Sequence, residues 1–317
     1  MFEIIFHLNK IQKEQYKKII KDTAFQVGFD ACGIARVEPL YNEARQLELW
    51  LKNGMHGKMS YMEKYFDIRI NPALLLPGAR SVISLLFNYY PSQKQKQNTF
   101  KISKYAYGKD YHLILKEKMN ELYEKLKEKI GNFNARACVD SAPIMDKIWA
   151  KKSGLGWMGK HSNLIFKQKG SWYFIAELVT DLELSPDTEI KDYCGKCTKC
   201  IDACPTNAIV QPYVVDASKC ISYLTIELKD EFIPEIFKNK MDNWIFGCDV
   251  CMDVCPWNRF AMPHQHPDLE PIQEILNFTP NDWKDLQEEQ FKVLFKFSPI
   301  KRTKFKGLKR NINFLSN

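Results

Sequence analysis

The chain places eight of its ten cysteines between residues 194 and 255, close enough in sequence to share metal atoms. The first four lie in the stretch CGKCTKCIDACP, with the spacing C-x2-C-x2-C-x3-C followed by proline. This is the spacing with which bacterial ferredoxins bind [4Fe–4S] clusters. Three thiolates on a tight loop can reach three irons of one cubane, whereas the fourth points away to a second cluster. The stretch therefore predicts iron–sulfur clusters.

A second run, CDVCMDVCPW, repeats this pattern with one cysteine fewer, and Cys220 can supply the missing ligand from a distance. We therefore expect two [4Fe–4S] clusters whose ligands are exchanged between the two runs. The first cluster is expected to bind Cys194, Cys197, Cys200 and Cys255, and the second Cys204, Cys220, Cys248 and Cys251.

Two structural zinc ions are the alternative, because eight cysteines can also form two sites of four thiolates each. Zinc sites usually pair two C-x2-C units and do not need the paired Cys-Pro endings, so the clusters are favoured. Cys32 and Cys138 belong to neither set. They are predicted to be small buried residues.

The composition is typical of a globular protein: 317 residues, of which 45% are hydrophobic and 26% charged. No apolar run approaches the ~18 residues that a membrane-spanning helix needs. The N-terminal stretch MFEIIFHLNKIQKEQYKK lacks the pattern of a secretory signal. These features predict a cytoplasmic protein, in which clustered cysteines stay reduced and bind metal rather than form disulfides. Nothing in the sequence requires more than a monomer.

The basic residues are concentrated near the end of the chain. Residues 291–310 carry eight lysines and arginines and no acid, which equals the whole net charge of +8. A concentrated basic segment suits the phosphate backbone of a nucleic acid. The alternative is a solvated helix end or a disordered tail.

Hydrophobic patterning predicts an α/β or α+β region up to about residue 185. Helices are expected over residues 9–29 and 113–130, and strands over 29–37, 80–90 and 171–184. The turn-like sequence SPDTE favours a boundary near 185–192. A cysteine-rich block to about residue 260 and a helical C-terminal segment are expected to follow.

Three stretches before the cysteines are denser in unusual residues than a core needs: YAYGKDYH, VDSAPIMDK and GLGWMGKHSNLI. In GLGWMGKHSNLI the glycines Gly154, Gly156 and Gly159 would permit close approach to a large ligand, with Trp157 as a flat wall and Lys160 as a cation. A glycine-rich turn around a packed tryptophan is the alternative.

The second stretch, VDSAPIMDK, contains Asp140 followed by Ser, Ala and Pro. Local sequence favours a helix N-cap for this aspartate, because its side chain could accept hydrogen bonds from the first turn of the helix.

The combination of motifs resembles the epoxyqueuosine reductase family, and the resemblance covers nearly the whole chain. The stretches that carry it are HGKMSYM, YAYGKDYH, VDSAPIMDK, GLGWMGKHSNLI, CGKCTKCIDACPTNAI, CISYLTIE, GCDVCMDVCPWN and GLKRN. The resemblance implies an α+β fold with a nitroreductase-like cobalamin-binding catalytic domain at residues 1–185. It further implies a ferredoxin-like domain with two [4Fe–4S] clusters at 186–262 and a short helical, basic C-terminus at 263–317.

The resemblance also implies roles for single residues. Asp140 matches the aspartate of the family's VD-x-x-P motif, and is expected to be the proton donor. The residues expected to contact cobalamin are Asp140, Gly159, Lys160, Asn163, Ser222 and Asp249.

The resemblance further implies the reaction. The two clusters would pass electrons to cobalamin, which reduces the epoxide of epoxyqueuosine at the wobble position of tRNA, and loss of water leaves queuosine. The oxyanion that develops needs a positioned acid, and a carboxyl at Asp140 shielded from water could stay protonated near neutral pH. The expected partners are the anticodon stem-loop of tRNA and an external electron donor such as ferredoxin or flavodoxin, with no membrane. Longer members continue into a helical-repeat extension, which this sequence lacks.

One segment, Asp110-Tyr111-His112, begins like the D-x-H-x-x-G motif that supplies a histidine to cobalt in other cobalamin enzymes. Leu115 stands where that motif needs glycine, and the resemblance implies no protein histidine on cobalt, so His112 is assigned no such bond. Two alternatives stay open. A corrinoid reductive dehalogenase would share the architecture, and a non-catalytic electron-transfer module would bind no corrin.

Overall fold

The computed structural model describes residues 9–316. The prediction that the chain begins without a secretory signal rests largely on residues 1–8, which lie outside the described residues. Within residues 9–316, every helix is too short or too polar to span a lipid bilayer.

The described residues form ten strands, most of them short. They are β1 (Ala31–Arg36), β2 (Ser81–Asn88), β3 (Lys101–Ile102), β4 (Ala135–Cys138), β5 (Trp157–Met158), β6 (Leu164–Ile165), β7 (Tyr173–Thr180), β8 (Ile209–Gln211), β9 (Val214–Val215) and β10 (Trp244–Phe246).

Eleven α-helices accompany these strands in the described part of the chain. They are α1 (Lys10–Val27), α2 (Tyr41–Lys52), α3 (Phe66–Ile70), α4 (Tyr111–Ile130), α5 (Asp146–Lys152), α6 (Lys199–Asp202), α7 (Val250–Asp253), α8 (Gln273–Asn277), α9 (Pro280–Asp285), α10 (Glu288–Leu294) and α11 (Lys304–Ser316).

A four-stranded antiparallel sheet in the order β1-β2-β7-β4 is the centre of the first half. Every residue of β2 is buried, because the strand lies inside the sheet and both faces are covered. Its sequence SVISLLFN suits that position, since a strand buried on both faces needs a nearly continuous apolar run. The three strands expected from patterning are confirmed as β1, β2 and β7.

Helices α1 and α4 pack together on one face of the sheet, where they form the largest apolar core. Helix α1 begins with a capping box between Asn9 and Gln12, and it ends at Gly28, which has φ 97° and continues the chain in the left-handed region. Both predicted helices are confirmed. The mixture of helices with an antiparallel sheet agrees with the predicted α+β class, while the nitroreductase-like description remains a prediction.

Helix α5 covers the opposite face of the sheet, and a carboxyl pair is buried beneath it. Glu177 of β7 is fully buried and lies within hydrogen-bonding reach of Asp146, the first residue of α5. Burial raises the pKa of Glu177 well above its usual range and that of Asp146 to about 6. One of the two carboxyl groups therefore holds a proton at neutral pH, and that proton can be shared between an oxygen of Glu177 and an oxygen of Asp146.

The cysteine-rich block is built from short elements, as its spacing predicts. It contains the hairpin β8–β9 and the four-residue helices α6 and α7. Strand β10 pairs in parallel with β3 of the first half. The C-terminal helices pack against residues 100–107 and β10 in one common core. The domain boundaries at 185 and 262 remain a prediction.

The buried carboxyl pair makes the stability of the fold depend on pH. A raised pKa means that the native state holds its proton more tightly than the unfolded chain, so stability falls as pH rises above the ordinary carboxyl range of about 4. We expect Glu177→Gln, whose amide can donate to Asp146, to flatten the fall of the melting temperature between pH 5 and 8. Thermal unfolding followed by circular dichroism measures this. The exposed control Glu128→Gln should keep the wild-type slope, and equal slopes in all three proteins would contradict the pair's role.

Candidate active site and metal centre

The structure brings the eight cysteines together in two groups of four. In the first group, burial and then the neighbouring thiols of Cys255, Cys194 and Cys197 raise the pKa of Cys200 to about 11. Cys255 comes from the second cysteine run, so the two runs are interleaved in space. This is the grouping that the spacing predicts for the first cluster.

The second group surrounds Cys251, whose pKa is raised by burial, then by Cys220, Asp249 and Cys204, and least by Cys200 of the first group. Burial also raises the pKa of Cys248, with Cys220 and Cys251 adding to the rise. No group of three or more His, Cys, Asp or Glu side chains within residues 9–316 is arranged to hold a single metal ion.

Backbone N–H groups lie close to sulfurs of the second group. The amide of Ala208 donates to Cys204 Sγ at 3.2 Å. Burial raises the pKa of Cys220, and the backbone N–H groups of Ser222 and Tyr223 oppose that rise. Hydrogen bonds to sulfur and limited solvent exposure are the features that stabilise thiolates bound to iron and set cluster potentials. The donor set therefore fits iron–sulfur clusters.

The glycine-rich stretch packs against the first cysteine group. Trp157 is 1% exposed and contacts Cys194 and Cys255, so it is not the flat wall of an open ligand site. Lys160 donates from Nζ to the carbonyls of Gly195 at 2.6 Å and Cys197 at 3.0 Å. The predicted alternative, a turn around a packed tryptophan, describes this stretch better.

Glycine is needed at these three positions because atoms of other residues of the chain lie too close to leave room for a Cβ atom. A Cβ on Gly154 would lie 2.6 Å from the Thr188 carbonyl oxygen, and one on Gly156 would lie 2.2 Å from that of Ile165. On Gly159 it would lie 2.8 Å from the His161 ring. The close approach of the chain to itself is therefore sufficient to account for these glycines.

Asp140 lies on the loop between β4 and α5, and it does not cap the helix. The N-cap of α5 is Met145, so the interpretation that local sequence favoured is wrong. Asp140 has φ 55°, a left-handed conformation that is uncommon outside glycine. This conformation directs the carboxylate to the start of α4. There Tyr111 Oη donates to Asp140 Oδ2 at 2.8 Å, and His112 Nε2 lies 3.3 Å from the same oxygen.

The environment of Asp140 stabilises its ionised form, contrary to the expectation of a shielded, protonated carboxyl. Its side chain is 53% exposed. Burial raises the pKa of Asp140, but the hydrogen bonds from His112 and Tyr111 and the charges of His112 and Arg302 outweigh it, and the pKa ends below its ordinary value. A proton needed at this position must therefore be supplied during the reaction.

His112 is held between two carboxylates. Its Nδ1 lies 2.8 Å from Asp110 Oδ1, and Asp110 also caps α4 by accepting from the His112 backbone N–H. Burial lowers the pKa of His112, but hydrogen bonds and charges from Asp110 and Asp140 outweigh it and bring the pKa to about 9. Both ring nitrogens thus face carboxylate oxygens.

Lys147 connects the Asp140 loop with the second cysteine group. Burial lowers the pKa of Lys147, while the charges of Asp140, Cys251 and Cys220 raise it. The ammonium therefore lies near enough to all three groups for their charges to act on it. Its Nζ donates to the Ser162 carbonyl at 3.0 Å and to Asn163 Oδ1 at 2.8 Å.

Lys147 and Asn163 line a cleft between the sheet and the cysteine block. The remaining residues of its wall are Tyr89, Leu164, Phe166, Ser171, Tyr173, Ile175 and Met252.

Of the other predicted cofactor contacts, Ser222 is half-buried and precedes a π-helical turn, Tyr223–Glu227. Asp249 is 2% exposed and accepts hydrogen bonds from the Ser103 hydroxyl, the Lys104 backbone N–H and Lys104 Nζ. Its two oxygens thus have three donors from the protein itself.

The basic C-terminal segment is folded, so the alternative of a disordered tail is wrong. Its Arg302 pairs with Glu227 at 2.8 Å, and the charge of Arg302 lowers the pKa of Asp140. The segment therefore reaches the surroundings of the candidate site. Six of its eight cations are exposed: Lys292, Lys296, Lys301, Arg302, Lys304 and Lys306.

Arg310, one of the two remaining cations, supports the π-helical turn. Its guanidinium donates to the carbonyls of Leu228 and Asp230 at 2.8 Å and of Leu224 at 2.9 Å. Asn311 beside it is fully buried and donates to the carbonyls of Thr225 at 2.9 Å and Ile245 at 2.8 Å. Helix α11 thus holds the backbone that follows Cys220.

Four residues of the site were not singled out from the sequence: Tyr111, His112 as a partner of Asp140, Lys147 and Arg302. The first three lie in the motifs YAYGKDYH and VDSAPIMDK, but no spacing rule connects residues 29 positions apart. Arg302 could not be separated from the other basic residues of its segment by charge alone.

The geometry and the comparisons with known proteins agree on the class. Residues 193–258 match the family described as "4Fe-4S double cluster binding domain". With its two groups of four cysteines, the chain is an iron–sulfur protein with a domain for two clusters. Residues 69–141 match the family described as "Epoxyqueuosine reductase QueG, DUF1730".

The relatives identify the family. The epoxyqueuosine reductase of Cellulophaga algicola is 57% identical over 303 residues, which cover 96% of this chain and 99% of the relative. That of Vibrio cholerae is 42% identical over 305 residues, covering 94% of this chain and 82% of the relative. The chain belongs to the epoxyqueuosine reductase family and is an oxidoreductase.

Solved structures show the same fold. A crystal structure of epoxyqueuosine reductase with a tRNA-Tyr epoxyqueuosine-modified stem loop has a TM-score of 0.89 at 31% identity, covering 95% of this chain and 81% of that one. A Bacillus subtilis structure has a TM-score of 0.88 at 30% identity with the same coverage. It is described with the loop of a catalytic aspartate swung out of the active site.

The contacts of Arg310 predict how strongly the C-terminal helix supports the site. We expect Arg310→Ala to lower the free energy of unfolding by about 2–3 kcal/mol, because it leaves three backbone carbonyls without a charged donor. Thermal or denaturant unfolding under anaerobic conditions measures the change. Lys306→Ala, at an exposed position of the same helix, is the control and should stay within about 0.5 kcal/mol of wild type. Equal stability of the two variants would show that the carbonyls do not depend on Arg310.

Proposed function

We propose that this chain reduces epoxyqueuosine to queuosine at the wobble position of tRNA. The observation that carries the proposal is the position of Lys147, which lines the cleft and on which the charges of both Asp140 and Cys251 of the second cysteine group act. Membership of the family supports it, and a relative has been crystallised with an epoxyqueuosine-modified stem loop. The same membership favours a tRNA substrate over the halogenated compounds of the dehalogenase alternative.

The two cysteine groups are the proposed ligand sets of two [4Fe–4S] clusters. Cys194, Cys197, Cys200 and Cys255 would bind the first, and Cys204, Cys220, Cys248 and Cys251 the second. The mutual effects of the thiols on their pKa values support these sets. The second group is the one next to Lys147 and therefore to the site of reaction. An external donor such as ferredoxin or flavodoxin would supply electrons to a chain that acts as a monomer.

The cleft between the sheet and the cysteine block, with an empty volume of about 360 Å³, is proposed to receive one edge of cobalamin. Its wall is mainly aromatic and apolar, with an amide at Asn163 and an ammonium at Lys147 that can meet the amide substituents of a corrin. When bound there and reduced through the clusters, cobalamin would supply a strongly nucleophilic, low-valent cobalt. Gly159, Lys160, Ser222 and Asp249 remain proposed contacts through the family resemblance.

Asp140 is the proposed acid for the epoxide oxygen. Opening an epoxide leaves negative charge on oxygen, and a carboxyl within hydrogen-bonding distance can donate a proton to it. Tyr111 and His112 fix the carboxyl by binding one oxygen, Oδ2, which leaves Oδ1 for the substrate. The left-handed backbone at Asp140 is the kind of strain that functional loops retain.

The exposed cations of the basic segment are the proposed contacts for the tRNA backbone. Six exposed lysines and arginines lie between residues 292 and 306. One of them, Arg302, is close enough to Asp140 for its charge to lower the pKa of that carboxyl. A stem-loop bound along this segment would place its phosphates on the cations and its wobble base toward the Asp140 loop.

The reaction is tested with the reconstituted protein under anaerobic conditions. We expect conversion of epoxyqueuosine in tRNA to queuosine, dependent on added cobalamin and a strong reductant, by nucleoside mass spectrometry. Asp140→Asn should retain both clusters and cobalamin but lose at least about 100-fold in turnover, because the amide cannot donate an acidic proton. Absence of conversion by wild type with intact clusters and bound corrin would refute the substrate, and full activity of Asp140→Asn would refute the acid role.

The cluster assignment predicts the iron content of variants. Cys251→Ala should reduce bound iron from about eight to about four atoms per chain, because it removes a ligand of one cluster only. Iron and sulfide analysis with electron paramagnetic resonance of the reduced protein measures this. Cys32→Ala removes a buried cysteine outside both groups and should retain the full content. Loss of zinc instead of iron would support the structural-zinc alternative.

A further inference from the structure

Reduction of an epoxide to an alkene consumes two protons. Both carbon–oxygen bonds break, a carbon–carbon double bond forms, and the oxygen leaves as water. The external donor supplies the electron pair. Asp140 can deliver one proton at a time, so it must be reloaded within each turnover. The need for reloading is greater because its environment favours the ionised carboxylate.

Bulk water is a poor source for that second proton while the site is filled. The Asp140 side chain is half-exposed, but a bound substrate and cofactor would cover it and exclude water. The source is therefore expected among the ionisable groups around the carboxylate. Those whose charges act on His112, Asp140 or their neighbour Asp110 include Tyr61, Tyr105, Tyr111, Lys116, Asp146, Lys147 and Arg302. Burial raises the pKa of Tyr61 to about 12 and that of Tyr105 higher still, and the proton of Asp146 is shared with Glu177, so none of these three is a source.

Most of these groups cannot serve. Burial and the Asp140 charge raise the pKa of Tyr111, which makes its hydroxyl a hydrogen-bond donor but a poor acid. The guanidinium of Arg302 does not lose its proton in proteins. Lys147 donates to Ser162 and Asn163, and its ammonium makes no ion pair with Asp140 within 4.0 Å.

His112 meets every requirement by its position. Its Nε2 lies 3.3 Å from Asp140 Oδ2, within reach of a short proton transfer, and Asp110 holds Nδ1 at 2.8 Å. Its ring stacks on Tyr111 with centroids 4.1 Å apart, and Tyr111 in turn stacks on Phe174 of β7 at 4.2 Å. The imidazole is thus fixed between a carboxylate that orients it and a carboxylate that it can protonate.

Resting on the proposed function, we propose that His112 is the positioning residue that returns a proton to Asp140 during turnover. Asp140 takes the first of the two protons from solvent before substrate and cofactor cover it. The second moves from His112 Nε2 to Asp140 Oδ2, which restores the carboxylic acid and leaves a neutral imidazole still bound to Asp110. Rotation of the carboxyl group then turns the protonated oxygen toward the substrate. After the product leaves, His112 takes up a proton from solvent. Because Asp110 and Asp140 raise the pKa of His112 to about 9, its imidazole is protonated throughout the neutral range.

The test is a single-turnover assay of pre-reduced holoenzyme between pH 6 and 9 with His112→Gln. Glutamine can still donate a hydrogen bond to Asp140, but it cannot supply a proton. We expect the rate at pH 8 to fall about 10- to 100-fold with KM within about twofold of wild type. The rate should also decline steadily from pH 6 to 8, where wild type is flat, and added imidazole should partly restore it. A uniform loss at all pH values, without rescue, would show a structural role and overturn the relay.

A matched histidine and a spectroscopic readout complete the test. His266 also pairs with a carboxylate, Asp30, at 3.4 Å, and it has a similar exposure of 20%; His266→Gln should keep the wild-type rate and pH profile. Nuclear magnetic resonance of 13C-labelled histidines in the holoenzyme should show a lower pKa for His112 in Asp140→Asn. An unshifted His112 titration overturns the relay whatever the activity, whereas absence of queuosine from wild type overturns the proposed function instead.

Discussion

The buried ion pair between Lys104 and Asp249 is the interaction on which the arrangement of the two halves depends. Lys104 lies next to β3 in the first half, and Asp249 lies between two cysteines of the second group. Both side chains are almost completely buried, and their charged atoms are 3.3 Å apart. Asp253 pairs with the same ammonium at 2.7 Å, and the ring of Trp172 lies 4.5 Å from it. A buried charge is costly unless it is paired and hydrogen-bonded, so the cysteine block can occupy only the position that satisfies this pair.

With the cysteine block fixed, the chemistry of the site follows from distances within the first half. Asp140 lies on the loop between β4 and α5, and Tyr111 and His112 are the first two residues of α4. The loop and the start of the helix meet at one side of the central sheet. Lys147 extends from α5 toward the cysteines. Tyr111, His112 and Lys147 are therefore mounted on helices that pack on the central sheet, whereas Asp140 lies on the loop between β4 and α5.

The sequence predicted the parts of this molecule that depend on local spacing. Cysteine spacing led to two groups of four with exchanged members, and apolar runs led to β1, β2, β7, α1 and α4. It failed where a residue's role depends on distant neighbours. Asp140 precedes a helix in sequence, yet its left-handed backbone turns it away toward Tyr111 and His112. The expectation of a shielded carboxyl, which came from the implied reaction, also failed, because the sequence could not reveal that His112 would lie beside Asp140 and stabilise its charge.

The position of Asn311 in the sequence has a consequence for the order in which the protein matures. Asn311 and Arg310 hold the backbone after Cys220 through five carbonyls, and both are synthesised after every cysteine. During translation the eight thiols therefore leave the ribosome before the helix that braces their scaffold exists. Iron delivered at that stage would meet a pliable site, so the final packing of the second cysteine group has to wait for the chain to extend past residue 311. The docking of α11 is therefore the step that completes the scaffold of the second cysteine group.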